Sequence, residues 1–288
     1  MNQPKLLLCT DMDRTIIPNG FHTEDSLARK KFSSFCHQPQ VTLVYVTGRH
    51  KALVEDAIKS YALPLPAYAI TDVGTRIFQI EGTHWKEISS WEEEIKKDWN
   101  GKNHEELNAL FSDLSELQLQ ETSKQSTHKL SYYVSLHVDQ KKLLSLMSQR
   151  LDMIGVQASL VWSIDEPKDI GLLDVLPRNA TKLHAIEFLY HQLDYNLDEV
   201  MFAGDSGNDL PVLASNILST LVANAANELK NDALRLVKKQ NNLQSLYLAT
   251  GNNSDMSGNY SAGVLEGVSH FFPLFRPLLE RTEICYEK

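Results

Sequence analysis

The chain begins and ends with short apolar runs that alternate with amphipathic stretches. Runs rich in Leu, Val, Ile and aromatic residues predict buried strands at residues 6–9, 41–46, 67–71, 200–203 and 219–223. Patterns with helical spacing occur at residues 26–36, 52–61, 181–193, 210–214, 228–239 and 263–272. Nearly continuous apolar strands that alternate with helices are typical of a parallel sheet covered on both faces. We therefore predict a doubly wound, Rossmann-like α/β core.

The pattern changes between residues 82 and 178, a region that contains Trp85, Trp91 and Trp99 and many charged residues. Helices and strands are mixed there without the rhythm of a parallel sheet. The predicted helices are residues 105–117 and 141–153, and the predicted strands are residues 129–138, 156–163 and 169–176. We therefore predict an inserted α+β domain at residues 82–178, and a core formed by residues 1–81 and 179–288.

Composition narrows the class of protein. A formal net charge of −9 argues against a general nucleic-acid-binding surface. No apolar run reaches the length needed to cross a bilayer, and the start of the chain has no signal-peptide pattern. Three cysteines without metal-ligand spacing fit a reducing compartment. We expect a cytoplasmic protein that binds neither nucleic acid nor membrane.

Carboxylates and small polar residues follow the first two predicted strands. Asp11 and Asp13 come directly after residues 6–9, where a buried strand end requires some compensation for their charge. The alternative is a solvated, Asp-rich turn. Thr47 and Gly48 end the second strand and can present a hydroxyl and backbone N–H groups to an anion at a helix start. The alternative there is a tight turn with Thr47 as the helix cap.

Polar groups recur after residue 180. Lys182 lies in the first turn of a predicted helix, where a cation conflicts with the helix dipole unless an anion lies nearby. The alternative is an ordinary solvated lysine. Asp205, Asn208 and Asp209 follow the strand at residues 200–203. We expect all these groups at strand ends, which can converge on one crevice in a doubly wound sheet.

Such a cluster favours a particular chemistry. Carboxylates without histidine or cysteine favour a hard cation, Mg²⁺ first. A lysine and a threonine beside them can bind a phosphoryl group. One carboxylate can attack phosphorus in line, and another two residues along an extended chain can protonate the leaving alcohol and then activate water. The sequence therefore predicts phosphate monoester hydrolysis.

The motifs DMDRT, VTGR, Lys182 and GDSGND, in this order, resemble those of the haloacid dehalogenase superfamily of phosphatases. The insert resembles the cap that closes over small phosphorylated substrates in that superfamily. ITDVGTRIF, KLSYYV and YSAGVLEGVSHF resemble the sucrose-phosphate phosphatase branch more narrowly. The resemblance implies a hydrolase core with a cap that sets substrate specificity.

The resemblance also implies a role for each motif residue. Asp11 would be the nucleophile and Asp13 the general acid/base. Mg²⁺ would be held by Asp11, the backbone carbonyl of Asp13, and Asp205. Phosphate or substrate would be bound by Thr47, the N–H of Gly48, Arg49, Lys182 and Asn208, with Asp209 orienting this shell.

Four further residues are candidates for substrate contacts. Arg14 stands where the superfamily commonly has glycine, and it could contact the substrate. In the cap, the resemblance points to Lys129 and Tyr132, together with Tyr133, for sugar contacts. Because adjacent strand residues face opposite ways, we expect at least one of the two tyrosines to be a packing residue.

The leading hypothesis is hydrolysis of sucrose 6-phosphate to sucrose and phosphate through an aspartyl-phosphate. Alternatives within the same chemistry are mannosylfructose phosphate, glucosylglycerol phosphate, or phosphoryl transfer by a phosphotransferase or mutase. A signalling receiver domain fits poorly, because it has no use for so large an insert. A sugar-nucleotide glycosyltransferase is a further candidate partner, either in addition to catalysis or as the target of a non-catalytic protein.

Overall fold

The structure is a computed structural model that describes residues 4–165, 168–251 and 256–280. The chain divides into two units, Met1–Glu87 with Lys182–Lys288, and Ile88–Thr181. Each unit is described by itself below, with elements labelled in chain order through both.

A mixed sheet forms the centre of the first unit. Its strands are β1 (Leu6–Thr10), β2 (Val41–Val46), β3 (Tyr68–Thr71), β4 (Arg76–Glu81), β5 (His84–Glu87), β10 (Val200–Gly204), β11 (Leu218–Leu221) and β12 (Leu246–Leu248). Their order is β12-β11-β10-β1-β2-β3-β4-β5. Neighbours are parallel from β12 to β3, and β4 and β5 add an antiparallel edge. The predicted doubly wound α/β core is confirmed.

Helices connect and cover these strands. They are α1 (Ala28–Cys36), α2 (Lys51–Ser60), α6 (Lys182–Gln192), α7 (Leu210–Leu213), α8 (Asn227–Lys239), α9 (Ser261–Phe271) and α10 (Arg276–Leu279). Every residue of β1 and β10 is buried, as the unbroken apolar sequence of a strand covered on both faces requires. In the described part of the chain, no helix is both long enough and apolar enough to cross a membrane.

The second unit has its own sheet and core. Its strands β6 (Leu117–Leu119), β7 (Leu130–Val134), β8 (Ala158–Asp165) and β9 (Ile170–Pro177) form an antiparallel sheet in the order β6-β7-β9-β8. The helices are α3 (Ser89–Ile95), α4 (His104–Leu110) and α5 (Gln140–Met153). Alternate residues of β7 and β9 pack with the buried face of α5 in one apolar cluster. This is the mixed α+β pattern that the sequence predicted for the insert.

Two predicted boundaries differ from the structure. The first unit extends to Glu87 instead of residue 81, because β5 pairs with β4 and places the Trp85 ring 5.7 Å from that of Phe78. The helix predicted at residues 105–117 ends at Leu110. The residues after it include Ser112, Asp113 and Ser115, which favour turns over helix interiors, and the chain then enters β6.

Helix α9 approaches the sheet more closely than a side chain would allow. A Cβ on Gly267 would overlap Thr220 Oγ1 of β11 and lie 2.5 Å from Met201 Cε of β10. We expect Gly267→Ala to destabilise the protein by about 2 kcal/mol through overpacking, although alanine is the better helix former. Thermal unfolding measures this, with Ser269→Ala in the same helix as the control. An unchanged or higher Tm for Gly267→Ala would show that the contact is not tight.

Candidate active site

The site lies where the chain reverses its direction of travel across the sheet. From β1 the chain proceeds to β2 and β3 on one side, and it later returns through β10 to β11 and β12 on the other. The carboxyl ends of β1 and β10 are therefore neighbours at a topological switch point, which is where open α/β sheets bind ligands.

The strand ladders extend into the motifs and fix their backbone. The Asp11 N–H donates to Ala203 O at 2.8 Å, and the Thr47 N–H donates to Ile70 O at 2.9 Å. Both residues are buried. Their positions are therefore set by the same register that pairs the strands.

An ion triad is buried at the centre of the site. Lys182 Nζ lies 3.1 Å from Asp11 Oδ1 and 2.7 Å from Asp209 Oδ1, and all three side chains are nearly inaccessible. We expected Lys182 at the end of a core strand. In the structure it is instead the first residue of α6. Two anions at this helix start resolve the conflict between the cation and the helix dipole.

The protonation behaviour of the triad follows from burial and pairing. Burial raises the pKa of the Asp11 carboxyl to about 7, although the charge of Lys182 opposes this rise. Burial alone would lower the pKa of Lys182, but Asp11 and Asp209 outweigh it and raise that pKa above its ordinary value. The lysine is therefore a permanent cation beside a carboxylate that is costly to ionise.

Asp209 organises the loop that follows β10. Its Oδ2 accepts hydrogen bonds from the N–H groups of Asp205 and Ser206 at 3.1 and 3.0 Å, and from Ser206 Oγ at 3.0 Å. Its Oδ1 accepts from Lys182. Both oxygens are engaged with protein donors, and the orienting role that the resemblance implied stays a prediction.

The carboxylates fit a hard divalent cation. One oxygen from each of Asp11, Asp205 and Asp209 lies within 4.8 Å of the others. Asp11 and Asp205 line the pocket, whereas Asp209 does not and already accepts four hydrogen bonds, so Asp11 and Asp205 are the side chains best placed to hold an ion. An all-oxygen set suits Mg²⁺. The predicted contribution of the Asp13 carbonyl stays a prediction.

Asp205 already has two partners. Arg14 Nε lies 3.1 Å from its Oδ2, and Thr15 Oγ1 donates to its Oδ1 at 3.2 Å. Burial raises the pKa of Asp205 to about 6, against the opposing charge of Arg14. From the sequence, Arg14 was a candidate substrate contact, which stays a prediction, and no signal indicated the contact between Thr15 and Asp205.

Asp13 is held by a clamp. Arg49 donates to both oxygens of Asp13, from Nε at 2.8 Å and from its NH2 group at 2.7 Å, and Asn19 Nδ2 donates to Oδ1 at 2.7 Å. Burial by itself would raise the pKa of Asp13, but the hydrogen bonds and charge of Arg49 outweigh it and hold that pKa below its ordinary value. Arg49, predicted to bind substrate, instead pairs with the predicted acid/base. Asn19 was not predicted as a site residue.

One open pocket gathers most of the predicted residues. Thr47 Oγ1 accepts from the Arg49 N–H at 3.2 Å, and Asn208 Oδ1 accepts from Ser206 Oγ at 2.8 Å. The pocket is lined by Asp11, Asp13, Arg14, Thr47, Gly48, Arg49, Leu53, Asp205, Ser206 and Asn208. Lys182 and Asp209 are not lining residues of this pocket; they belong to the buried triad with Asp11.

A strained turn supports the second motif. Asp72 and Val73 both have positive φ, 52° and 62°, which is rare for a β-branched residue. Their N–H groups donate to Arg49 O at 3.0 Å and to Thr47 O at 3.2 Å. Strain of this kind is found at functional sites, where the surrounding structure maintains it. The ITDVG stretch therefore fixes the loop that carries Thr47 and Arg49.

The predicted sugar-binding residues of the second unit have structural partners. Lys129 Nζ donates to Ser131 Oγ at 2.8 Å and lies 3.3 Å from Asp174 Oδ1. Tyr132 is 2% exposed, and its OH donates to Asn108 Oδ1 at 2.7 Å. Tyr132 is thus the packing member of the tyrosine pair, whereas Tyr133 lies on the opposite face of β7 and is partly exposed.

A comparison with protein families gives this geometry its context. The model of the family described as sucrose-6F-phosphate phosphohydrolase matches residues 4–272. The chain belongs to this family. It is therefore a phosphatase of the haloacid dehalogenase type, as the order of its motifs indicated.

Relatives within and near this family differ in their reported substrates. A haloacid dehalogenase-like hydrolase of Nitrosococcus oceani is 48% identical over 96% of this chain and 74% of its own length. Sucrose-phosphatase 1 of Nicotiana tabacum is 27% identical over 78% of the chain, which spans only about half (52%) of that enzyme. The mannosylfructose-phosphate phosphatase of Agrobacterium fabrum is 28% identical over 93% of the chain and 98% of its own length.

A solved structure supports the fold. The sucrose-phosphatase of Synechocystis, solved with sucrose and phosphate, superposes with a TM-score of 0.70 at 22% identity. The match covers 93% of this chain and 98% of the other. At this identity, the likeness establishes the shared architecture.

The raised pKa of Asp11 predicts how stability depends on pH in a chelating buffer. A carboxyl whose pKa is about 7 when folded and about 3.9 when unfolded binds protons more tightly in the folded state. Its contribution is therefore full below pH ~4 and is lost as the pH rises towards about 7. We expect Asp11→Asn to reduce this decline and to leave the part that the raised pKa of Asp205 causes, as measured by urea denaturation at stepped pH. Asp232→Asn on α8 is the control, and identical pH profiles for wild type and Asp11→Asn would contradict the assignment.

Proposed function

We propose that this protein is a Mg²⁺-dependent phosphatase that hydrolyses a phosphorylated disaccharide or glycoside, with sucrose 6-phosphate as the leading substrate. The observation that carries the proposal is the buried contact of Lys182 with Asp11. Asp11 also lines one pocket together with Asp205 and Thr47. These groups offer a nucleophile, a fixed cation and hydroxyl and amide donors at one point. That is the equipment that phosphoryl transfer needs.

The first step forms a bond between an Asp11 oxygen and phosphorus as the bond from phosphorus to the sugar oxygen breaks. Asp13 gives its proton to the departing sugar oxygen. Lys182 neutralises charge at Asp11, while Thr47, the Gly48 N–H and Asn208 bind the phosphoryl oxygens. When bound, Mg²⁺ supplies charge neutralisation at the phosphoryl group, with Asp11 and Asp205 as its holders.

The second step returns the enzyme to its starting state. Asp13, now ionised, accepts a proton from water, whose oxygen bonds to phosphorus as the bond to Asp11 breaks. The clamp from Arg49 and Asn19 favours the ionised form of Asp13 that this step uses. The first step needs the protonated form, so the proposal requires Asp13 to exchange these partners when substrate binds.

The sugar preference is the finer part of the proposal. The family description and the tobacco relative support sucrose 6-phosphate, and the Agrobacterium relative supports mannosylfructose phosphate. Within the described residues, the pocket lining has no aromatic ring, and Leu53 is its apolar member. We assign the choice of sugar to the second unit. The partly exposed Tyr133, whose OH donates to Glu121 Oε2 at 2.9 Å, is a better candidate than the buried Tyr132 or the buried Lys129. A sugar-nucleotide glycosyltransferase partner stays a prediction.

A substrate panel tests the function. We expect phosphate release in the presence of Mg²⁺ to be fastest with sucrose 6-phosphate, compared with mannosylfructose phosphate, glucosylglycerol phosphate and glucose 6-phosphate. Asp11→Asn should lose turnover while it stays folded, because the attacking charge is removed at nearly constant shape. Release from none of the compounds would overturn the proposal, and a different fastest substrate would replace sucrose 6-phosphate alone. Interconversion of sugar phosphates without free phosphate would instead support a mutase.

The leaving group distinguishes the two roles of Asp13. A sugar alkoxide needs a proton to depart, whereas p-nitrophenolate does not. We expect Asp13→Asn to lose about 10²-fold or more in turnover of the sugar phosphate. With p-nitrophenyl phosphate it should instead give a stoichiometric burst of p-nitrophenol followed by slow turnover. Rapid-quench kinetics measure this, and equal losses in the first step for both substrates would contradict the acid role.

A further inference from the structure

Arg14 has a backbone conformation that its side chain disfavours. Its φ is 55°, in the left-handed region where a residue with a Cβ is strained and glycine is not. The backbone is fixed there by its own contacts. The Arg14 N–H donates to Ile17 O at 3.0 Å and to Asn19 Oδ1 at 2.9 Å, and its carbonyl accepts from Asn224 Nδ2 at 2.6 Å. None of these bonds requires an arginine side chain.

The side chain of Arg14 points to the carboxylate predicted to bind the metal ion. Arg14 Nε lies 3.1 Å from Asp205 Oδ2, where the Asp205 side chain is only 3% exposed. The Arg14 side chain is 55% exposed and is one of the residues that line the pocket. The guanidinium can therefore leave Asp205 for water at little cost, because most of it is already hydrated.

Lys182 differs from Arg14 in this respect. It is 2% exposed and has a carboxylate partner on each side, so it cannot leave the site without abandoning two buried anions. The buried Lys182 is thus a fixed cation of the site, whereas the exposed Arg14 is an exchangeable one. Arg14 pairs with Asp205, one of the two carboxylates that would hold Mg²⁺.

A guanidinium and a divalent ion cannot share one carboxylate oxygen well. Mg²⁺ binds carboxylate oxygens at about 2.0–2.1 Å, so a cationic nitrogen at hydrogen-bond distance from the same oxygen would repel it. We propose that Arg14 is an exchangeable counter-cation of Asp205: it pairs with Asp205 until Mg²⁺ binds, withdraws towards solvent on binding, and so weakens Mg²⁺ affinity. This inference rests on the Mg²⁺ site of the proposed function.

The test measures Mg²⁺ binding without substrate. Isothermal titration at constant ionic strength gives the Mg²⁺ Kd of chelator-treated wild type, Arg14→Ala, Arg14→Gly and Arg14→Lys. We expect the Ala and Gly variants to bind Mg²⁺ about fivefold more tightly, the upper range for a partly exposed ion pair, and the Lys variant to lie between. Arg14→Gly also relieves the backbone strain, so a shared effect of Ala and Gly isolates the loss of charge.

Thermal unfolding provides an independent readout. Arg14→Ala should lower the Tm in chelator, because Asp205 loses its counter-charge, and should enlarge the rise in Tm produced by Mg²⁺. Arg235→Ala is the matched control, because Arg235 is an exposed arginine that pairs with Asp232 at 2.9 Å on α8. It should bind Mg²⁺ as wild type does.

The outcomes separate this inference from the proposed function. If both Arg14→Ala and Arg14→Gly bind Mg²⁺ with an unchanged or higher Kd, Arg14 is not an exchangeable counter-cation of Asp205. An unchanged Kd combined with a higher KM for the sugar phosphate would instead make Arg14 a substrate contact. A wild-type chain that binds no Mg²⁺ but releases phosphate would overturn the metal assignment, and with it this inference.

Discussion

The contact of Lys182 with Asp11 and Asp209 is the constraint on which the site depends. The three residues come from the end of β1, the start of α6 and the loop after β10, so a single ammonium group joins the core segments on both sides of the insert. Removing one partner of a buried ion pair leaves an uncompensated charge, which is strongly destabilising. The same contact therefore joins the two core segments and positions Asp11, the proposed nucleophile.

The sequence predicted the parts of the site that the sheet determines. Asp11 and Asp205 follow buried strands, and parallel strands bring their carboxyl ends to one edge, so the topology alone makes them neighbours. Lys182 has no such rule, and its only local signal was a cation at a helix start. The resemblance to a family supplied its role, and the structure supplied its two partners.

Other assignments were limited by the reach of long side chains. A motif fixes where the backbone of Arg49 lies, but its guanidinium can contact several anions, and in the structure it pairs with Asp13. Lys129 likewise pairs with Asp174, a residue of a different strand. The edge of the core was misplaced for a related reason, because only the pairing of β5 with β4 shows that Trp85 belongs to the first sheet.

The charges of the pocket are balanced one against another. Lys182 pairs with Asp11 and Asp209, Arg14 pairs with Asp205, and Arg49 pairs with Asp13. Without these cations the carboxylates would repel one another and resist ionisation, so each cation stabilises the folded site.

This pairing of charges has a consequence for catalysis. A divalent cation carries positive charge and a phosphoryl group carries negative charge. If they bind here, each would replace one member of an ion pair that the free site already contains. The two arginines are at least partly exposed, whereas the lysine is buried. This division fits the proposed mechanism, in which Asp11 keeps its position while the partners of Asp13 and Asp205 exchange.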